Sequence, residues 1–185
     1  MRQVRAVGFD DAAFSKKDDR CLVVGVVCRP DGYVEGSMSC SVKVDGTDAL
    51  GKVTRAVNSS RFRRQLRVIF IQGFTVAGFN TIDMLALSKG TGLPVVSVLR
   101  RKPNKIKVEA ALRNFSDFRE RMGVFEKNRH YVRAGGVFLN FAGINAAGAR
   151  TLARQFTVRG NVPEPLRLAH VLASGVSLGE SSKNK

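Results

Sequence analysis

At 185 residues, 44% of them hydrophobic, the chain is long enough to bury the core of one domain without help from disulfides or a structural metal. Its 31 Lys and Arg against 15 Asp and Glu leave a formal net charge of +16, a surplus that gains most by neutralising closely spaced phosphates, with an acidic membrane surface as the competing partner. No window reaches the ~18 apolar residues of a membrane span and acids appear before any long apolar run, so membrane-spanning and exported classes are set aside and a cytoplasmic protein is expected.

The charge is uneven along the chain. Residues 1–60 hold 9 Lys/Arg and 8 Asp/Glu, whereas residues 61–185 hold 22 and 7. Acids early and bases late suit carboxylates set within a phosphate-gripping surface, although scattered bases on solvated faces also occur without a nucleic-acid partner. Cys21, Cys28 and Cys40 lack metal-type spacing and lie in or beside Val-rich runs, which reads as a reduced core.

In chain order, QVRAVGFDDAAF reads as a strand that ends on Asp10 and Asp11. RCLVVGVVCR (20–29) and YVEGSMSCSVKV (33–44) read as two further strands, joined as an antiparallel hairpin through Pro30-Asp31-Gly32. The period then changes: Thr47 or Asp48 can cap a helix carrying Leu50, Val53 and Val57. RVIFIQG returns to a strand, NTIDMLALSKG to a helix and LPVVSVLR to a strand, an order that implies parallel pairing with right-handed crossovers. Residues 106–128 read as helical, AGGVFLNFAGI as a short strand and NAAGARTLARQF as a helix. The last helix enters at VPEP, carries Leu166, Ala169, Leu172 and Ala173 as its apolar stripe, and leads into a polar tail over 181–185 expected to be flexible. The expectation is one domain over 1–180 with a mixed α/β sheet.

Several side chains could do chemistry. A carboxylate at a strand end can hold Mg²⁺ or Mn²⁺, hard ions that prefer oxygen and assist phosphodiester hydrolysis. Asp10 and Asp11 fit, though such pairs also make turns and caps. Asp48 could reach the same ion; its ordinary role would be helix capping. With only His130 and His170 available and no nucleophile motif, a Ser-His or Cys-His mechanism has little support, and no phosphate-binding loop motif is present.

VGFDDAAF, VDGTDA, IFIQGFTVAGFNTIDM, LPVVSVLRRKPN and PEPLRLAHVLASG, in order from about residue 5 to 180, resemble the archaeal family called endonuclease dU, related to endonuclease V. The resemblance implies a ribonuclease H-like fold, its first three strands antiparallel and its later strands parallel. It also implies a Mg²⁺- or Mn²⁺-dependent endonuclease cutting DNA near deaminated bases such as deoxyuridine or deoxyinosine, with single-stranded DNA and RNA left open as substrates. On the endonuclease V pattern, Asp10 and Asp48 match two catalytic acids. The third acid belongs where this chain has Gln72. An amide supplies one oxygen and no charge, so the site is one charge short; Asp11 or Asp83 are the available compensations.

The resemblance places Tyr33 at the hairpin turn as a wedge against an extruded base; the small-residue loop GFTVAGFN, with Gly78, offers backbone amides that could approach a flipped nucleotide, and Asn80 a hydrogen bond to its edge. Packing for Tyr33 and a capped turn for Asn80 are the ordinary alternatives. His170 is a candidate general acid or base, with a packed helix histidine as the alternative. Arg100, Arg101, Lys102, Lys105 and Lys107, following a parallel strand's C-terminal end, are the preferred phosphate contacts, ahead of Arg61, Arg63 and Arg64. Two further classes stand beside the nuclease: a nucleic-acid-binding relative whose catalysis is lost at Gln72, and a basic interaction module for another repair factor.

Overall fold

The computed structural model describes residues 4–15 and 17–181; most of the 181–185 tail lies outside the described residues. Seven strands form the main sheet in the order β3-β2-β1-β4-β7-β9-β8. They are β1 (Arg5–Asp11), β2 (Arg20–Cys28), β3 (Val34–Lys43), β4 (Leu66–Gln72), β7 (Val95–Leu99), β8 (Val132–Ala134) and β9 (Val137–Ala142). The first three are antiparallel neighbours, β2 and β3 joined through the Pro30-Asp31-Gly32 turn, where Gly32 takes φ 87 and its N–H bonds the Arg29 carbonyl. β1 pairs with β4 and β4 with β7 in parallel, as the intervening helices α1 (Ala49–Ser59) and α2 (Met84–Thr91) require.

The structure departs from the sequence reading in four places. The later strands are parallel only as far as β7, because β9 runs antiparallel to β7 and hairpins to β8, a three-residue strand too short to show a period. Between β4 and α2 the chain makes a small hairpin, β5 (Thr75–Val76) and β6 (Asn80–Thr81), and α2 starts only at Met84, with the Asp83 carboxylate accepting from the Ala86 N–H. The helical stretch 106–128 is two helices, α3 (Lys105–Leu112) and α4 (Phe118–Lys127), parted by a turn in which the Asn114 amide donates to the Ala111 carbonyl, an alternative to continuing the helix. In the last helix, α6 (Glu164–Leu178), Leu166, Ala169 and Ala173 are buried as expected but Leu172 is 42% exposed.

Alternation along β1 divides the core. Val7 and Phe9 join a cluster with Val53 and Val57 of α1 and Leu87 of α2. Ala6 joins Phe70, Val98, Leu166 and the residues of α5 (Ala146–Gln155) on the other side, where Phe70 meets Phe156 edge-on at 5.8 Å. α6 lies directly on β1, and Gly8 permits it: a Cβ there would collide with the backbone of Pro165 and Leu166.

Candidate active site

That close approach builds the site. Gly8 and Asp10 share one face of β1, separated by about 6.6 Å of strand, and Leu166 and His170 share one face of α6, separated by about 6 Å of helix. The two rises match, so once Leu166 sits on Gly8, His170 arrives at Asp10. His170 Nδ1 lies 2.7 Å from Asp10 Oδ2. Asp10 is 6% exposed, and its carboxyl is pushed up to about 6 by burial first and by the adjacent Asp11 charge second, against the opposing pull of His170.

Gln72 belongs to this face. The parallel register pairs Gly8 with Phe70 and Phe9 with Ile71, so Gln72 continues beside Asp10 at the end of β4. Gln72 and His170 line a cavity of about 510 Å³ together with Arg100, Arg159, Asn161 and Arg167. Arg167 is committed to the buried Glu164 through two hydrogen bonds, 2.9 and 2.5 Å, which hold that carboxyl below its usual range. Arg100 and Arg159 make no ion pair among the described residues.

The other carboxylates are engaged on the opposite side of the strand. Asp11 Oδ2 accepts from the Ala77 N–H at 2.7 Å, and Asp45 Oδ1 accepts from the Phe79 N–H at 2.8 Å. Asp45 (φ 54) and Ala77 (φ 49) both hold left-handed backbone and are tied to each other by the Asp45 N–H to the Ala77 carbonyl. Asp48 accepts from the Lys43 N–H at 3.0 Å and from Asn80 Nδ2 at 2.8 Å; burial works against its charge, yet these bonds keep its carboxyl below the usual range. Asn80, fully buried, also donates to the Lys43 carbonyl and accepts the Ala49 N–H, so it caps α1 from a distance and its amide is used up within the protein. Gly78 (φ 85) passes so close to the Asp45 carboxylate that any Cβ would strike it.

The sequence candidates therefore separate. Asp10, Gln72, His170 and Arg100 come together; Asp11, Asp48, Gly78 and Asn80 form the network under the β5–β6 hairpin, and Asp83 caps α2. Among the described residues no group of three or more His, Cys, Asp and Glu is placed to hold a metal ion. A cage of several carboxylates is thus not built. What the strand ends do offer is Asp10, whose buried charge lacks full compensation, and the neutral oxygen of Gln72, a set suited to a hydrated Mg²⁺ or Mn²⁺ that completes its shell with water and phosphate oxygens.

The basic run after β7 also divides. Arg100 faces the cavity, Lys102 lies over the Phe138 ring at 5.1 Å, and Lys105 pairs with Glu126 at 2.7 Å, while Arg101 and Lys107 are exposed. Tyr33 is 61% exposed at the hairpin turn, with the Arg29 guanidinium 4.8 Å from its ring centre. Missed in the sequence were Arg159 and Asn161, whose only local sign is a turn-like RGN before a helix-entering proline, and a cavity of about 160 Å³ beneath the β5–β6 hairpin lined by Phe74, Phe79, Leu99, Leu112, Arg121 and Phe125.

A mixed sheet with its first three strands antiparallel and β1, β4 and β7 parallel has the ribonuclease H-like fold of endonuclease V. The fold is that of Ciona intestinalis endonuclease V in complex with a 23mer DNA containing an inosine followed by a ribo-adenosine (TM-score 0.63, 13% identity, 93% of this chain and 84% of that one). Within that class the chain belongs to the Endonuclease dU family, whose model matches residues 2–177. It is similar to a UPF0215 protein of Methanopyrus kandleri, 40% identical over 188 residues (98% of this chain, 95% of that protein). It is also similar to a protein of known structure from Archaeoglobus fulgidus (TM-score 0.88, 36% identity, 94% of this chain and 98% of that one).

Proposed function

We propose that this protein is a metal-dependent endonuclease that cleaves DNA at or near deaminated bases, deoxyuridine and deoxyinosine being the substrates to test, in a repair role. The observation that carries the reading is the Asp10–His170 pair at 2.7 Å beside a cavity edged by Gln72, Arg100 and Arg159. It is supported by membership of the Endonuclease dU family.

Each residue then has a task. Asp10 holds His170 through Nδ1, which makes Nε2 the ring nitrogen able to accept a proton from an attacking water or return one to a leaving oxygen. Arg100 and Arg159 bind the phosphate oxygens as guanidinium forks. Asp10 and Gln72 would hold Mg²⁺ or Mn²⁺, which supplies Lewis-acid polarisation of the phosphodiester and a more acidic water. A flipped base can enter the aromatic cavity under the β5–β6 hairpin against the rings of Phe74 and Phe79, the Arg121 nitrogens being held by Asp117 and the carbonyls of Asp45, Gly46 and Phe79, and exposed Tyr33 is shaped to fill the gap in the stack.

The second reading, a nucleic-acid-binding relative with weakened catalysis, is favoured by Gln72 being neutral and by the engagement of Asp48 with Asn80 and Lys43. Labelled oligonucleotides carrying uracil, hypoxanthine or no lesion, incubated in Mg²⁺ or Mn²⁺ beside Asp10→Ala, separate the two. Lesion-dependent nicks that vanish in the variant are expected; binding without a cut in either metal would establish the second reading in place of the first.

A further inference from the structure

The cavity at Asp10 and His170 does not end there. A second cavity of about 520 Å³ shares Val137, Gly160 and Asn161 with it and continues over α5, where Arg150 and Arg154 line it with Thr157. The two form one trough whose charged walls are Arg100, Arg150, Arg154, Arg159 and Arg167, with no Asp or Glu lining either part. Of these, Arg150 spends one nitrogen on the Arg133 carbonyl and Arg167 is paired with Glu164, on which the Arg159 charge also acts; Arg100, Arg154 and Arg159 make no direct ion pair among the described residues. Unpaired guanidinium groups converging on one trough repel each other and are stabilised by a polyanion laid between them.

The floor of the trough is shaped for close approach. Gly135 (φ 58) and Gly160 (φ 69) hold left-handed turns, and Asn161 Oδ1 accepts from the Gly136 N–H at 3.1 Å, which leaves the Asn161 amide nitrogen as a donor. A Cβ on Gly136 would stand 2.7 Å from that nitrogen, so the glycines keep the shared floor low. A chain of phosphates entering at Arg100 would thus pass Arg159 and Asn161 and reach Arg154 and Arg150 without meeting a negative charge.

We propose that this trough is a strand track: it holds several nucleotides of single-stranded DNA extending from the Asp10–His170 centre along α5, gripping the backbone rather than the bases. The inference rests on the nuclease reading for its ligand and adds to it the side on which the strand lies and the residues that grip it, Arg154 and Arg159 above all. Arg154 stands in the last turn of α5, where a cation also suits the helix dipole; the dipole alone gives no reason for Arg159, which precedes α6.

The test is equilibrium binding of a fluorescein-labelled single-stranded oligodeoxynucleotide in EDTA, so that nothing is cut, over a salt series. Arg154→Gln with Arg159→Gln removes two exposed side chains that make no side-chain hydrogen bond among the described residues, and a thermal melt confirms folding. Affinity should fall about tenfold at low salt, and the slope of log affinity on log salt should shrink by about 1.4, two contacts at roughly 0.7 each on a single strand. The same charge change at Arg55 and Lys89, exposed on α1 and α2, should leave the slope within about 0.5 of the parent. Equal losses in the two double variants would overturn the track, since only net charge would then matter. Normal lesion-dependent nicking with an unchanged slope in Arg154→Gln/Arg159→Gln would sink the track alone. The selective loss in a protein that never nicks would support the track and remove the nuclease reading.

Discussion

Asp10 is held in a place that does not favour its charge. Its carboxyl is raised from 3.8 to about 6 by burial and by Asp11, so between those pH values the folded state keeps a proton that the unfolded state has released. Stability from this group is therefore undiminished below about pH 4 and falls as pH rises through 6, by on the order of 1–3 kcal/mol. Asp10→Asn, close in shape and uncharged, should accordingly raise the melting temperature at pH 8 by several degrees and give no advantage at pH 3.5; an equal gain at both would show that burial of the charge is not the cause. Gln72 has the converse deficit. Gln72→Asp would put a second carboxylate on the Asp10 face and should tighten Mn²⁺ binding about tenfold by titration calorimetry, an order-of-magnitude expectation for adding one charged oxygen ligand. No change would show that this side chain does not face the ion. Gln72 was legible as a site residue because a polar amide ends an apolar run; Asn80 was legible as unusual, but its actual task, capping α1 across 31 positions of sequence, is invisible in a linear string.

At the scale of elements, the site depends on how α6 lies on β1. The match between two strand residues and one turn of helix carries the Leu166–Gly8 approach forward to His170 and Asp10 and on to Ser177, whose Oγ accepts the Ala13 N–H at 3.0 Å. Gly8→Ala should push the helix outward, destabilise the fold by about 1–3 kcal/mol as overpacking does, and weaken the Asp10–His170 bond. The His170 ring nitrogen chemical shifts by NMR would report that break, and shifts identical to the parent would mean the helix absorbs the methyl elsewhere. The strands β1, β2, β4 and β7 were readable as unbroken apolar runs bounded by turn residues, β3 by its alternation, and the helices α1, α2, α5 and α6 by apolar positions recurring near 3.6. The β5–β6 hairpin and β8 were not, since two or three residues cannot express a period and their pairing is decided by the neighbours they meet.

For the molecule as a whole, the sheet separates two sets of acids that adjoin in sequence. Asp10 serves the cavity with His170, while Asp11, Asp45 and Asp48 serve the hairpin network, and Arg100, Arg150, Arg154, Arg159 and Arg167 gather on the Asp10 side. The three cysteines take no part in either and report on the core instead. Burial pushes the thiols of Cys21 and Cys28 up to about 12 and that of Cys40 up to about 11, so at pH 8 a thiol-specific chromogenic reagent should label Cys21 and Cys28 only at the rate of unfolding, with half-buried Cys40 slower than a free thiol. All three should react at once in denaturant; fast labelling of the native protein would show that β2 and β3 open locally.

The sequence by itself determined the mixed sheet, the antiparallel start, the strand-end position of Asp10 and the basic character of the later half, because periodicity, turn residues and charge are local properties written along the chain. Only the tertiary structure decided which of the adjacent aspartates meets His170, that Asp48 is spent on Asn80, and that Arg100, Arg154 and Arg159 share a trough. Those outcomes depend on the face a side chain takes and on contacts between elements far apart in sequence, which the pleat of β1 and the seat of α6 on Gly8 fix in space.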